Sequence, residues 1–328
     1  METPWGAGEL LRFLFLVPQG YGRIMKATKN AQDSRFGLAA ALAAYGLWGI
    51  LPLYWKALQI IPSWEIICHR IIWSLVLTFI LLVVQGRHRA LLKALTNRRT
   101  LLTTLATSTL LGSNWLVYIW AVNNGNIMES SLGYFINPLI AVLFGVIFLQ
   151  EKLRPGQWTA LGVALAGVLY LTFSYGRFPW IGLTLAITFA LYSLLRKTAA
   201  LHSLEGLFCE TVLLSIPAGL TLVYLASQGA SGFLSQGPWI TFLLIGTGVI
   251  TSLPLLLFVF GAQRITMTAL GLMQYLAPTI QFLIGLLIFH EPFPVTKLIG
   301  FAIIWTALIL FTAENIFFSL RRRTRPLH

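Results

Sequence analysis

Apolar stretches, each close to twenty residues long, recur along the whole chain and are separated by short polar segments. Ten can be delimited: 36–56, 65–84, 100–121, 128–149, 157–175, 178–195, 204–226, 238–262, 267–289 and 295–318. As a helix rising about 1.5 Å per residue, each reaches across a hydrocarbon core ~30 Å thick. The runs are continuously apolar rather than alternating, which excludes a β-barrel. The pattern predicts an all-α polytopic membrane protein with ten transmembrane helices.

Composition agrees. Hydrophobic residues make up 57% of the chain and charged residues 10%, with a mean hydropathy of +0.79. Soluble domains carry about 25% charged residues, so this chain lacks the polar surface to stay in water. The net charge of +13 would suit a nucleic-acid partner, but its distribution argues otherwise. With ten spans and a cytoplasmic N-terminus, nineteen of the 23 Lys and Arg fall on the inner side. They are Arg12, Arg23, Lys26, Lys29 and Arg35, then Arg87, Arg89, Lys93, Arg98 and Arg99, then Lys152, Arg154, Arg196, Lys197 and Arg264, and finally Arg321, Arg322, Arg323 and Arg325. Only Lys56, Arg177 and Lys297 lie at outer ends. Such asymmetry is the positive-inside rule, so the basic balance reports topology: both termini cytoplasmic and no nucleic-acid partner.

Cys68 and Cys209 both fall inside predicted spans, so no disulfide is expected, and their spacing suggests no metal site. Residues 1–35 do not read as a signal peptide, because "LLRFLFLVP" is short, is broken by Arg12 and precedes no small-residue cleavage site. The fold needs nothing before Arg35, so residues 1–35 are expected to be a cytoplasmic extension and Met25 the functional start. Residues 319–328 form a basic cytoplasmic tail.

An internal repeat organises the rest. At an offset of 140 residues, "PSWEIICHR" (62–70) meets "HSLEGLFCE" (202–210), aligning Ser63 with Ser203 and Glu65 with Glu205 and setting Arg70 opposite Glu210. The same offset aligns Pro138 with Pro278, Gly145 with Gly285 and Glu151 with Glu291. Two units of five helices result, residues 36–175 and 176–318. An odd number of crossings inserts the second unit upside down, giving an inverted-topology repeat of the kind that builds a substrate path in many secondary transporters. Gly162 and Ala166 in the fifth span recur as Ala302 and Thr306 in the tenth, a small-xxx-small spacing that suits packing within the bundle or in a homodimer.

Polar residues inside the spans mark candidate chemistry. Arg70 lies about 9 Å below the outer boundary; a charge in a span costs ~2.5–3.5 kcal/mol at the helix centre on insertion scales and calls for a partner or a cavity. Glu65, Glu129 and a substrate carboxylate are the candidate partners for Arg70, with outward snorkelling as the structural alternative. Glu210 answers it from the inner side. Near mid-depth lie Asn114, Trp115 and Tyr118 in "NWLVYIWAVNNG", Tyr134 and Asn137 in "LGYFINP", and Gln274 and Tyr275 in "GLMQYLAP". Pro138, Pro254 and Pro278 are expected to interrupt their helices, and interrupted helices at corresponding positions point to a transporter's central site. Aromatics with amides suit a small, partly apolar solute. Proton coupling, if present, would use Glu65, His69, Glu129 or Glu210. No nucleophile-elbow, zinc-protease or nucleotide-loop motif is present, so neither an enzyme nor a cofactor is expected.

The strings "WGILPLYWKAL", "EIICHRIIWS", "NWLVYIWAVNNG", "SLGYFINPL", "LYSLLRK", "TSLPLLLF", "LGLMQYLAPTIQF" and "IWTALIL" resemble the RarD group of the EamA branch of the drug/metabolite transporter superfamily. The resemblance covers roughly residues 36–315. It implies ten helices in two five-helix repeats, a bacterial inner-membrane location and carrier activity toward a small-molecule solute, and it names no substrate. The reading is a secondary carrier, more an exporter than an importer, with lipid around it. A passive channel and a membrane scaffold without transport are the competing classes.

Overall fold

The computed structural model describes residues 31–87, 91, 95–124, 126–290 and 295–323. Met25, Arg89, Lys93, Glu291 and Arg325, all used above, lie outside the described residues. Eleven helices are present among the described residues, and no strand. They are α1 (Ala31–Ala57), α2 (Ser63–Val84), α3 (Arg98–Asn123), α4 (Ile127–Leu149), α5 (Pro155–Tyr175), α6 (Trp180–Thr198), α7 (Ser203–Ser227), α8 (Pro238–Ala262), α9 (Met267–Met273), α10 (Leu276–Leu287) and α11 (Val295–Arg323). Because α9 and α10 are two pieces of the apolar segment Met267–Leu287, the helices form ten segments, as the hydropathy pattern predicts.

Helix ends follow local chemistry. Pro155 opens α5 at its first turn, where a missing N–H is harmless, and Gln157 turns back to accept from the Arg154 N–H at 2.9 Å. The same helix stops at Gly176, whose φ of 75° favours a residue without a β-carbon. Thr266 caps α9 by accepting from the Ala269 N–H at 3.2 Å.

Seven segments are long and apolar enough to cross a membrane by composition alone, while α3, α6 and α11 fall short. In α3 the hydroxyls of Thr103, Thr104, Ser108 and Thr109 each donate to the carbonyl four residues earlier, at 2.7–3.0 Å. In α6 those of Thr184, Thr188, Ser193 and Thr198 do the same. Back-bonding of this kind satisfies the hydroxyls within their own helix, so both helices can lie in an apolar environment despite their sequences.

The expectation that Pro138 and Pro254 interrupt their helices is not met. Both α4 and α8 continue through them. The break falls instead at Gln274–Tyr275, one turn ahead of Pro278, where the chain tightens through N–H bonds three residues back from Gln274 to Gly271, Tyr275 to Leu272 and Ala277 to Gln274. A proline deprives the preceding turn of a donor, but a neighbour can supply one. Pro52 frees the Trp48 carbonyl of α1, and Gln281 Nε2 donates to it at 3.1 Å. Pro138 frees the Tyr134 carbonyl, and Tyr275 Oη donates to the adjoining carbonyl of Phe135 at 3.1 Å.

Helix pairing repeats itself. α1 packs on α8 and α10, and their counterparts α6 packs on α3 and α4. α2 packs on α8 as α7 does on α3, while α2 on α7, α4 on α9 and α5 on α11 join helices to their own counterparts. Two five-helix units related by a twofold axis would make this contact pattern. Gly162, Ala166, Ala302 and Thr306 are exposed, so they do not pack within the bundle. At the α5–α11 contact Gly167 meets Ile303 and Ile304, and Gly300 meets Leu171, with Ala160 and Ala164 buried on the same face of α5. The offset located the right pair of helices, while their mutual contact uses a different face, because a spacing of four occurs on more than one face of such helices.

Gly206 supplies a test of this packing, since a β-carbon there would meet the guanidinium of Arg196, itself only 2% exposed. Gly206→Ala is expected to lower stability by about 1–3 kcal/mol, read as an earlier thermal unfolding midpoint in detergent. Gly162→Ala, with nothing within 4 Å of the added carbon, should leave the midpoint unchanged or raise it.

Candidate functional site

A cavity of about 240 Å³ lies inside the ring formed by α1, α2, α3, α4, α6, α8 and the α9–α10 break. Several helices reach it with a stripe at spacings of three, four and seven, one face of a helix. α1 presents Trp48, Leu51, Pro52 and Trp55; α4 presents Ser130, Gly133, Tyr134 and Asn137; the broken segment presents Gln274, Ala277, Pro278 and Gln281. Asn114, Trp115 and Tyr118 come from α3, Arg70 from α2, Leu185 and Phe189 from α6, and Thr251 and Leu255 from α8.

Positions 140 residues apart meet on its wall. Tyr45 with Leu185, Trp115 with Leu255, Tyr134 with Gln274, Asn137 with Ala277: both members of each pair line the cavity. It therefore straddles the boundary between the two halves of the chain. Tyr134 is 43% exposed although it belongs to this wall, so the space it faces is the cavity.

Arg70 is the one charged residue among the lining positions. Its Nε donates to Thr251 Oγ1 at 2.9 Å. The guanidinium carbon stands 5.1 Å from the ring centroids of both Trp55 and Trp115, within the range of cation–π attraction. No described carboxylate lies within 4.0 Å of it; the ion pairs among the described residues are made elsewhere. Asn114 Nδ2 donates to the Leu185 carbonyl at 2.9 Å and to Thr188 Oγ1 at 2.8 Å. Asn137 is buried, and its Oδ1 has no hydrogen-bond partner among the described residues.

Several predicted residues stand apart. Glu65, 0% exposed, accepts from Ser231 Oγ at 2.9 Å and the Gly232 N–H at 2.8 Å, and so anchors the α7–α8 connection rather than facing Arg70. His69 packs against Phe233 with ring centroids 4.9 Å apart and planes tilted by 32°, and its Nε2 lies 3.8 Å from Glu65. Glu129 accepts from the Ile181 N–H at 2.7 Å and from Tyr175 Oη at 3.2 Å, capping the start of α6. Tyr275 is 1% exposed and packs between helices. Pro254 borders a separate apolar groove against α1. Each carboxylate here answers unpaired donors at a helix start or loop, a demand that cannot be seen without the neighbouring element.

Glu210 belongs to the opposite end of the bundle. It is 0% exposed, accepts from Tyr192 Oη at 3.1 Å and pairs with Arg196 Nε at 3.5 Å, not with Arg70. Around it Lys197 Nζ donates to the Ala262 carbonyl at 2.8 Å and to that of Ile265. Gln263 Nε2 donates to the Arg196 and Leu201 carbonyls at 3.3 and 3.1 Å. Glu151 accepts from the N–H groups of Met267 and Thr268 at 2.6 and 2.9 Å. This end, where α6, α7, α8 and α9 meet, is tied shut by polar contacts.

Trp48, Trp55, Phe189, Thr251 and Gln281 also line the cavity and were not singled out from sequence. Two signals could have found some of them: Trp48 and Trp55 are seven residues apart with Pro52 between, and Gln281 follows Gln274 by seven.

Cavity and bundle together define a multi-pass membrane protein of the transporter class. Residues 35–173 match the EamA-like transporter family, and the chain belongs to that family. It is 40% identical over 297 residues to "Protein RarD" of Streptomyces exfoliatus, covering 90% of this chain and 94% of the relative. It is 42% identical over 287 residues to "Uncharacterized transporter YojE" of Bacillus subtilis (strain 168), covering 87% and 96%. A solved crystal structure superposes with a TM-score of 0.64 at 16% identity, over 85% of this chain and 98% of that one, a likeness of fold alone.

Introduced cysteines report the wall directly, because native Cys68 and Cys209 are both buried. Asn114→Cys, Tyr118→Cys and Tyr134→Cys, at wall positions that keep accessible surface, are expected to react with a water-soluble methanethiosulfonate reagent in intact membranes. Tyr275→Cys should react at least ten-fold more slowly. Equal rates at all four positions would mean that the cavity is not a solvent-reached path.

Proposed function

We propose that the chain is a secondary carrier of small metabolites, exporting them from the cytoplasm by alternating access. The observation that carries this reading is the cavity itself: paired positions from both halves form one polar and aromatic chamber, and the Arg196–Glu210 cluster lies outside its wall, among helices tied together by polar contacts. A chamber that ends at such a cluster suits a carrier, which exposes its site to one face at a time, whereas a channel needs a continuous path. Ten crossings and the inner-side Lys and Arg support a bacterial inner-membrane protein with both termini in the cytoplasm. In that orientation the cavity half faces outward and the Arg196–Glu210 network is the cytoplasmic seal. Glu210 then acts by closing the path, since its carboxylate must exchange partners when that end opens.

Untargeted metabolomics of medium and cytoplasm tests the reading, comparing cells that overexpress the protein, lack it, or overexpress Arg70→Gln. At least one metabolite should accumulate in the medium with the wild type and not with the variant. Arg70→Lys keeps the charge but loses the planar fork and is expected to retain less than about a tenth of the flux, with near-normal insertion. Glu210→Gln should also reduce flux. Wild-type efflux by a well-expressed Arg70→Gln protein would remove Arg70 from the path, and flux without counterflow would favour a channel.

A further inference from the structure

Resting on the carrier reading, the geometry points to a solute class: a small organic monoanion, an acid on one flat ring or comparable body that also carries a hydroxyl or N–H donor and no positive charge.

Charge comes first. Arg70 is the only charged residue among the described residues of the cavity wall, and no described carboxylate lies within 4.0 Å of it. Thr251 takes the Nε donor, and no described residue accepts from either Nη. Trp55 and Trp115 hold the guanidinium at 5.1 Å from each ring, so its free edge is oriented before a ligand arrives. A planar fork of this kind matches an oxyacid group with two parallel N–H donors. An ammonium group on the same molecule would find no carboxylate on this wall, and burying it unpaired is strongly unfavourable. The site thus selects against zwitterions and cations as well as for anions.

The amides set the second requirement. Asn114 Nδ2 donates to the Leu185 carbonyl, and Gln281 Nε2 donates to the Trp48 carbonyl. A carbonyl can only accept, so these partners fix the orientation of both side chains and leave the amide oxygens as their unused ends. Asn137, 4% exposed and on the same wall, adds an Oδ1 with no described partner. The chamber therefore offers one cationic donor group, amide oxygens that can only accept, and the hydroxyls of Tyr45, Tyr118 and Tyr134, which donate or accept. The cation and the amide oxygens are matched by a ligand with an acid at one end and a donor at another.

Size and shape are the third. At about 240 Å³ the cavity is below the ~300–1,000 Å³ of sites that take drug-sized ligands. Its apolar walls are largely flat rings, among them Trp48, Trp55, Trp115, Tyr134 and Phe189. A single planar ring stacks against such walls.

The test uses the full-length protein in lipid nanodiscs and proteoliposomes, with 4-hydroxybenzoate, its neutral isostere 4-hydroxybenzamide, and the zwitterion tyrosine as probes. Quenching of intrinsic tryptophan fluorescence should show saturable binding of 4-hydroxybenzoate, at least ten-fold tighter than of the amide or tyrosine. Arg70→Gln should erase the preference for acid over amide without changing the melting midpoint. Asn137→Ala should weaken 4-hydroxybenzoate more than benzoate, which lacks the donor. Equal binding of amide or tyrosine, no saturable binding of the acid by folded wild type, or a preference that survives Arg70→Gln would each overturn the monoanion inference while leaving a carrier intact. The carrier reading fails separately, if 4-hydroxybenzoate crosses proteoliposomes linearly with concentration and without counterflow.

Discussion

In a hydrocarbon core every backbone and side-chain polar group must find its partner within the protein, and this requirement shapes most of the molecule. Helix hydroxyls in α3 and α6 bond back to their own turns. Carbonyls near Pro52 and Pro138 are reached by Gln281 and Tyr275 from another helix. Lys197 sits at the end of α8, where unpaired carbonyls and the negative end of the helix dipole favour a cation. Glu129 and Glu151 answer the N–H groups at the starts of α6 and α9. Among the described buried groups left without a hydrogen-bond partner, the Asn137 oxygen and the Tyr45 hydroxyl belong to the chamber, whose wall also carries the Arg70 fork.

The two halves of the chain hold unlike ends on similar helix contacts. Equivalent helices make equivalent contacts, and the cavity wall draws on equivalent positions. The chemistry at those positions has diverged. Arg70 is matched by Glu210, Asn114 by Pro254, Tyr134 by Gln274 and Asn137 by Ala277. The positive charge of α2 faces an accessible chamber, while its counterpart in α7 is sealed beneath Tyr192 and Arg196.

Much of this was legible in the chain. Continuous apolar runs determine ten helical segments, because only a helix satisfies its own backbone in lipid. The 140-residue offset determines which helices are equivalent, and the strings around Arg70, Asn114, Tyr134 and Gln274 mark the wall of the cavity. Those residues could be found because a polar or interrupted position in a span needs a protected setting, and few settings exist.

What only the tertiary structure decided is the partner of each charge. Glu65, Glu129 and Glu210 look interchangeable in sequence with any residue that could meet Arg70 or carry a proton. Their loops, helix starts and Arg196 come from segments far along the chain, and a carboxylate's role is set by whichever donor the fold brings within about 3 Å. The same holds for the prolines, whose effect on a helix depends on whether a neighbour supplies the missing donor, and for Tyr275, one residue from Gln274 yet turned into the packing. Depth in the membrane can be counted along one helix, but the face a side chain presents, and what waits there, belongs to the packing of all of them.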